Sequence, residues 1–545
     1  MKKAALIILL TMASSVAGFA QTAYDAFMFS ETNYEGTARS VAMGNAFTAL
    51  GGDLGSIGLN PAGSAVAKYS QFSITPSLTF TTNTAQGVSP YDNGSIPYFE
   101  EKYRNRHTAF SLPNFGITFD WETGRTSGLK NLTFGFVANC LNSWNEDVYA
   151  AGLNNTTSFM GSMAYGATVG GYLGTELNMK DAYDYYSWRD VVGFQSGMIS
   201  TFGGQDDQFV GASEVLMNNN GTTEIALGGP IKQTYGRQVN GRKNEYVFNL
   251  GANISDFLYI GANIGITAMN YDYAEYFKEV AENPRDFEIE LDNGDRMYFD
   301  RMKYQYNYYV ETAGIYGKIG FILTPGAGFR FGAAIQTPTA TTVTEEWSYS
   351  GETHYTSSSY DASASSPYGE DRYNFVEPWR ANFGAAYTLG NLAVISADYE
   401  ICDYGRMKFK REGFNDGREY FDDINEEIKT IYGTSHMFRL GAEVKLGTLA
   451  IRGGYGATKS PEKATLDGDA LPKMWNQNAS FGLGYASKKS FFADIAARYM
   501  FATDEYFMPY DDYMYDNNGD LVAFAPEILN TRSAWKVMLT IGWRF

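Results

Sequence analysis

The last thirteen residues of the chain alternate without a break. Trp535, Val537, Leu539, Ile541, Trp543 and Phe545 fall on one face, and Ala534, Lys536, Met538, Thr540, Gly542 and Arg544 on the other. A period of two over this length predicts a β-strand with one apolar and one polar side. The preceding segment repeats it, Phe491, Ala493, Ile495, Ala497 and Tyr499 opposing Phe492, Asp494, Ala496, Arg498 and Met500. Further back, Trp379, Ala381, Phe383, Ala385 and Tyr387 oppose Arg380, Asn382, Gly384 and Ala386.

Segments of this kind recur near 70–82, 107–120, 130–140, 244–254, 257–270, 307–323, 327–349, 378–388, 391–411, 435–445, 449–458, 478–487, 490–502 and 533–545. Short connections alternate with long ones between them, the longest being 141–243. Fourteen strands joined in this rhythm predict an all-β fold, a 14-stranded antiparallel transmembrane β-barrel with residues 69–545 as its wall. Trp and Tyr near strand ends fit the interface girdles of such a barrel. A secreted β-sandwich also alternates, but it needs neither an apolar outer face on nearly every strand nor the long–short rhythm of connections. An even strand count puts both termini on the short-turn, periplasmic side.

Two segments precede the wall. Met1-Lys2-Lys3, the apolar run Ala4–Leu10 and the small residues Gly18 and Ala20 predict a signal peptide over 1–20, cut before Gln21. Residues 21–68 do not alternate and are rich in Gly and Ala, with Gly51-Gly52-Asp53-Leu54-Gly55 at their centre. They predict a compact N-terminal hatch, a plug inside the lumen; a periplasmic tail is the alternative.

Composition narrows the function. Aromatics reach 16 % and charged residues only 19 %, with 41 Tyr, 37 Phe and 58 Gly. A net charge of −19 removes the basic footprint of nucleic-acid binding. The three histidines, His107, His354 and His436, lie in no catalytic motif, and there is no Gly-x-Ser-x-Gly elbow or P-loop. No enzyme, cofactor or metal site is expected. Asp511-Asp512 and Asp516-Asn517-Asn518-Gly519-Asp520 read as solvated loop tips, with Ca²⁺ binding the alternative, and Asp292-Asn293-Gly294-Asp295 as a hairpin turn. Cys140 and Cys402 fall on distant strands and are expected to stay free.

Met43-Gly44-Asn45-Ala46-Phe47-Thr48-Ala49-Leu50-Gly51-Gly52-Asp53, followed by Asn60-Pro61-Ala62-Gly63, resembles the hatch of the FadL/TodX family. Those are outer-membrane transporters of long-chain fatty acids and other hydrophobic compounds. Phe331–Pro338, Ala397–Glu400 and Phe438–Glu443 extend the resemblance along the wall. It implies a 14-stranded barrel that catches a hydrophobic ligand in its outer loops and holds it in a lumenal pocket. It also implies sideways release through a kink in the third strand, by passive diffusion. Carried onto this chain, the hatch motif is Asn60, Pro61, Ala62 and Gly63, expected to close the lateral route.

Strand-gap candidates are Pro113, which cannot donate to a ladder, and Gly135, in the middle of the third strand. Phe159, Met160, Met163 and Tyr165 are candidates for ligand capture, or for packing against a second apolar stretch, Val191, Val192, Phe194 and Met198. Pocket candidates are Phe27, Phe29, Arg439 and Arg452, with Tyr24 and Met28 beside them. Alternation turns Arg380, Arg439, Arg452, Arg498 and Lys536 into the lumen with Asp398, Glu400, Glu443 and Asp494, to pair with each other or with a ligand carboxylate. The expected partners are a hydrophobic small molecule and outer-membrane lipid, the barrel acting as a monomer in a Gram-negative cell. Rival readings are a polar-solute porin and an adhesion or secretion barrel that binds a protein through its loops.

Overall fold

The computed structural model describes residues 21–88, 99–219, 222–291, 294–411, 420–465, 471, 473–515, 519 and 521–545. The signal segment 1–20, the turn residues Asp292-Asn293 and most of the 516–520 cluster lie outside them.

Fourteen antiparallel strands close on themselves. They are β1 Gln71–Val88, β2 Tyr103–Glu122, β3 Leu129–Asn154, β4 Ile231–Ile254, β5 Leu258–Ala281, β6 Arg296–Gly326, β7 Phe329–Gln336 continued by Thr339–Tyr355, and β8 Gly369–Glu377 continued by Arg380–Leu389. Then come β9 Ala393–Asp403 with Lys408–Lys410, β10 Thr434–Leu446, β11 Leu449–Lys459, β12 Trp475–Ala486, β13 Phe491–Phe507 and β14 Glu527–Arg544. Pairing of β1 with β14, from Gln71↔Arg544 to Val88↔Glu527, closes the wall. Among the described residues no helix is long and apolar enough to cross a membrane; the strands do so.

Each long strand has two storeys of opposite polarity. On the lower part of β5, Ile260, Ile264 and Ile266 are exposed outward while Asn263 and Thr267 are buried inward. On its upper part Met269 and Tyr271 are buried inward while Asn270 and Asp272 face out. β6 repeats this, with Ile315, Ile319 and Phe321 outward below and Tyr304, Tyr308 and Val310 inward above. The lower storey is a lipid-facing belt around a polar lumen. The upper storey is a water-facing wall around an apolar core. A tilted crossing needs about 10 residues, so the 31 residues of β6 extend well beyond the belt.

This explains a correction. Residues 141–154 and 231–243, expected as loop, are ladder, paired from Asn142↔Lys243 to Asn154↔Ile231. The alternation sought in the sequence was apolar outside. It stops at the top of the belt, whereas the hydrogen-bonded ladder does not.

Prolines mark the junction between storeys. β7 breaks at Thr337-Pro338 and β8 at Pro378-Trp379, at facing positions, since Gln336 pairs with Arg380 below and Thr339 with Glu377 above. β1 and β2 slip register where Pro76 and Pro113 lack the N–H the ladder requires.

The hatch crosses the lower lumen as short helical turns. Its approach depends on inward glycines. A Cβ on Gly441 would lie 2.3 Å from the Met43 carbonyl oxygen, and one on Gly454 2.1 Å from the Gly44 nitrogen. Gly261 meets Pro61 and Gly332 meets Thr48 in the same way. Ion pairs and bonds tie the rest. Arg39 and Arg452 share Glu443 at 3.0 and 2.6 Å, Lys536 pairs with Glu35, and the Thr48 N–H donates to Asp398 at 2.8 Å.

Candidate functional site

The Asn60 side chain accepts from the Ala62 N–H at 3.1 Å and caps the turn Pro61–Val66. Its amide donates to the carbonyls of Thr48, at 2.7 Å, and Phe321, at 3.0 Å. Asn249 donates to the Pro61 carbonyl at 2.9 Å. The Asn-Pro-Ala-Gly motif is therefore a clasp between the hatch and β4–β6. Its expected place beside the third-strand gap is not where it lies.

Above the clasp the lumen becomes a greasy chamber, and the chain fills it with its own helix α1, Ala23–Ser30. Thr22 and Asp25 form a reciprocal capping box that starts the helix. The Phe27 ring stacks on Tyr432 at 5.4 Å and meets Tyr404 edge-on at 5.3 Å. Phe29 meets Phe375 at 5.6 Å and Phe409 at 6.4 Å. Met269, Tyr271, Tyr308, Val310 and Tyr373 complete the wall. A second helix, between β9 and β10, Asp422–Ile431, brings Ile428 onto the same cluster. Tyr24, 44 % exposed, lies within electrostatic reach of Glu505, Arg237 and Glu146.

Two buried cations hold the end of α1. Lys243, paired with Glu377 at 2.7 Å, donates to the Phe29 carbonyl. Arg380 donates to the Ser30 carbonyl at 2.6 Å and pairs with Glu400 at 3.3 Å. Cations belong at a helix C-terminus, where unpaired carbonyls concentrate negative charge. Arg439 shares Glu400 from the far side. Arg452 stays with Glu443 and Asp494 at hatch level, away from Phe27 and Phe29. Lys243, Glu377, Tyr404 and Tyr432 were not singled out from the sequence. Lys243 stands one residue before the stretch read as strand, and only the inward phase of β4 could have pointed to it.

Beside the chamber the wall has a seam. β2 pairs with β3 only from Asn114↔Asn139 to Glu122↔Asn131. Higher up, β2 stays with β1 as far as Tyr103↔Ala85, and β3 stays with β4. Residues 104–112 and 140–148 thus share no ladder, and the strands meet again where Tyr103 and Tyr149 rings lie 4.8 Å apart. Phe110 pairs with Leu78, itself paired with Val537, so the seam begins inside the apolar belt. The hatch lines it from within, the N–H groups of Glu35 and Asn33 donating to Cys140 and Leu141 at 2.9 and 2.6 Å. From outside, Arg242 donates to the Phe110 carbonyl at 3.3 Å. Pro113 stands at the start of the seam. Gly135 does not, being paired with both Thr118 and Asn249 in unbroken ladder.

The mouth at the long-connection end is closed by a core of loop residues. Helix α2, Phe159–Val169, buries Phe159, Met160 and Met163, while Tyr165 is exposed. Phe159 stacks on Phe277 at 5.0 Å and touches Tyr304 and Tyr510. Val191, Val192 and Met198 pack in the same cluster. Ser158 and the Phe159 N–H both donate to Glu279, at 2.8 and 2.7 Å. Glu214, which accepts from the Gly211 N–H at 2.8 Å, packs against Gly161 of α2.

Burial pushes the Glu214 carboxyl up to about 7, against the lowering effect of the Gly211 N–H and Tyr513. The folded cap therefore keeps a proton that the unfolded chain loses near the ordinary carboxyl value. Stability is full below that value, falls as pH rises towards 7, and is flat above it. The span corresponds to about 3 kcal/mol at most. Hydrogen exchange within Phe159–Val169, corrected for intrinsic rate, is expected to be about tenfold faster at pH 8 than at pH 5. Burial raises Glu279, which accepts from Ser158 and the Phe159 N–H, to about 7 as well, so Glu214→Gln should about halve that dependence; an unchanged slope in the variant would assign it to Glu279 alone.

Cys140 and Cys402 are free and buried. His354 pairs with Asp361, and His436 with Tyr399, at 2.9 and 2.8 Å; neither has a nucleophile beside it in these contacts. Asp512 accepts from the Ala525 N–H at 2.6 Å. No group of three or more metal-ligating side chains occurs among the described residues.

No family model matches the chain, and no curated protein matches it in sequence. Its architecture is that of solved FadL/TodX barrels. The P. putida toluene transporter TodX superposes with a TM-score of 0.51 at 11 % identity, over 93 % of this chain and 98 % of that one. A Pseudomonas aeruginosa FadL homologue does so with a TM-score of 0.50 at 11 % identity, over 94 % and 99 %. At such identity the likeness is one of fold.

Proposed function

We propose that the chain is an outer-membrane channel for passive uptake of hydrophobic compounds, amphipathic long-chain acids among them. The observation that carries this reading is the seam between β2 and β3, which lies beside the aromatic chamber and starts at Phe110 and Leu112, level with the apolar belt. A hydrophobic molecule leaving sideways there would stay out of water throughout. The hatch below blocks the straight route with ion pairs and backbone contacts, which speaks against a polar-solute porin. The long-connection end would face outward and both termini inward. Cargo would enter past α2, displace α1 from the chamber, and exit past Asn33–Glu35. No coupled energy source is needed, because partition into lipid draws the flux.

Uptake into cells lacking their own outer-membrane transporter tests this. The intact barrel is expected to admit a labelled long-chain fatty acid and a small labelled hydrocarbon. Replacing residues 157–228 by a short Gly-Ser turn leaves the paired strand ends in place and removes α2. It is expected to change uptake of both labels by about tenfold, since it removes a cap held by several buried aromatic contacts. A folded, inserted barrel that admits neither label would exclude the transport reading and favour the adhesion alternative.

A further inference from the structure

We propose that the mature chain begins at Gln21 and that its new α-ammonium is the buried counter-ion of Glu345 and Asp371, pinning the head of α1 inside the chamber. Gln21 is only 7 % exposed, deep within the upper wall. Its side-chain amide donates to Glu345 on β7 and, at 3.3 Å, to Asp371 on β8. Glu345 is fully buried, and its other partners are the hydroxyls of Tyr308 and Tyr373, at 2.6 and 3.2 Å. Asp25, four residues along α1, is committed to the Thr22 N–H and hydroxyl at 2.7 and 2.8 Å, and its charge also bears on Glu345. No lysine or arginine is bonded to Glu345 or Asp25 among the described residues.

Glu35, Glu377, Glu400, Glu443 and Asp494 each have a Lys or Arg partner, whereas the buried Glu245, Glu279 and Asp398 are met by amides, hydroxyls or backbone N–H groups. A buried carboxylate without a counter-ion is costly, and here three acids converge on one end of a helix whose other end is held by two cations. The Gln21 amide oxygen is buried without a partner, so the fit of this neutral side chain is incomplete. An amino terminus at Gln21 puts a cation on the residue whose side chain already reaches Glu345 and Asp371.

The sequence independently puts a cleavage there, with Gly18 and Ala20 in the small positions before it. The step is hydrolysis by a peptidase that cuts after small residues. Water gives its hydroxyl to the acyl carbon of residue 20 and a proton to the Gln21 nitrogen, and the C–N bond breaks. The amine then takes a further proton and becomes the ammonium. The inference does not depend on which cargo the chamber carries.

Intact mass of the barrel purified from outer membranes is expected to match a chain starting at Gln21, with no loss of ammonia. Labelling by an α-amine-selective aldehyde at neutral pH is expected to be about tenfold slower in the folded barrel than after unfolding, because the ammonium is buried and paired. Glu345→Gln keeps the shape and the tyrosine bonds, and should raise labelling of the folded protein severalfold at unchanged melting behaviour. A different first residue, a cyclised glutamine, which has no ammonium, or equal labelling of the wild type and the variant would each overturn the proposal.

Discussion

Valine at both Gly441 and Gly454 is expected to expel the hatch while leaving the barrel folded. The atoms a Cβ would meet are backbone: the Met43 carbonyl oxygen at 2.3 Å from position 441, and the Gly44 nitrogen at 2.1 Å from position 454. No rotamer change relieves a clash with backbone, so residues 42–44 must move off β10 and β11. Gly44 cannot compensate, since it has φ +63° and itself packs on the Leu440 and Tyr455 carbonyls. The wall loses nothing of its own, because strand ladders and the outer belt do not involve these Cβ positions, and valine favours strand.

A barrel of this size without a plug encloses an aqueous lumen. Measured with residues 157–228 replaced by the short Gly-Ser turn in all three proteins, so that the cap does not close the mouth, ion conductance in planar bilayers should therefore rise by about tenfold or more over the parent glycines. Valine at Gly453, whose Cβ would meet nothing within 4 Å, is the matched control and should conduct like the parent. Equal conductance of all three proteins would mean that the hatch is not what closes the lumen.

The strand count and the hatch were legible in the sequence for one physical reason. Lipid demands an apolar residue at every second position of each crossing, and the lumen admits polar or small ones. That Arg380, Arg439 and Arg452 face the lumen with Glu400 and Glu443 follows from the inward phase; which of them pair, and that Arg39 of the hatch joins Glu443, does not. The upper storey was not legible in the same way. Tyr271, Tyr308 and Tyr373 alternate with Asp272, Asn307 and Arg372, but with the apolar side inward, the reverse of a lipid-facing strand. Read for lipid, such a stretch looks like loop, and Val148 to Val239 disappeared into one.

Placement across the lumen was harder still. Pro113 could be suspected because it lacks a donor, but whether its neighbour had left depended on where β3 turned towards β4. Phe27 and Phe29 are apolar residues on a short helix in any reading. Their role depends on Phe375, Phe409 and Tyr432, hundreds of residues away, and no local pattern links them. Phe159, Met160 and Met163 were read as a greasy face for cargo or for packing, and they pack. The choice turned on Phe277 and Tyr304, aromatic residues of the upper storey.

Cargo class should be readable at Lys243. With α1 in place this lysine serves the Phe29 carbonyl and Glu377, and Arg380 serves the Ser30 carbonyl. In the proposed route cargo would displace the helix, those carbonyl oxygens would leave and two cations would face an aromatic chamber. An acid can replace them with its carboxylate, whereas a hydrocarbon cannot. The informative variant is Lys243→Met with Glu377→Gln, since removing the lysine alone would strand a buried carboxylate and cost about 3–5 kcal/mol. The double change keeps volume and leaves the amide able to serve Thr341, now bonded to Glu377 at 3.2 Å.

A charge-assisted bond in such surroundings contributes about 1.5–3 kcal/mol. Uptake of a long-chain fatty acid at sub-saturating concentration should then fall by about 10- to 100-fold. Uptake of an uncharged hydrocarbon should change by less than about twofold, because its contacts would be with rings such as Phe375, Phe409, Tyr404 and Tyr432, which the variant leaves alone. If both fall together, Lys243 acts only by holding the wall and α1 in shape. If neither falls, Lys243 does not read a carboxylate, and Arg380, which the variant leaves in place, is the cation to test next.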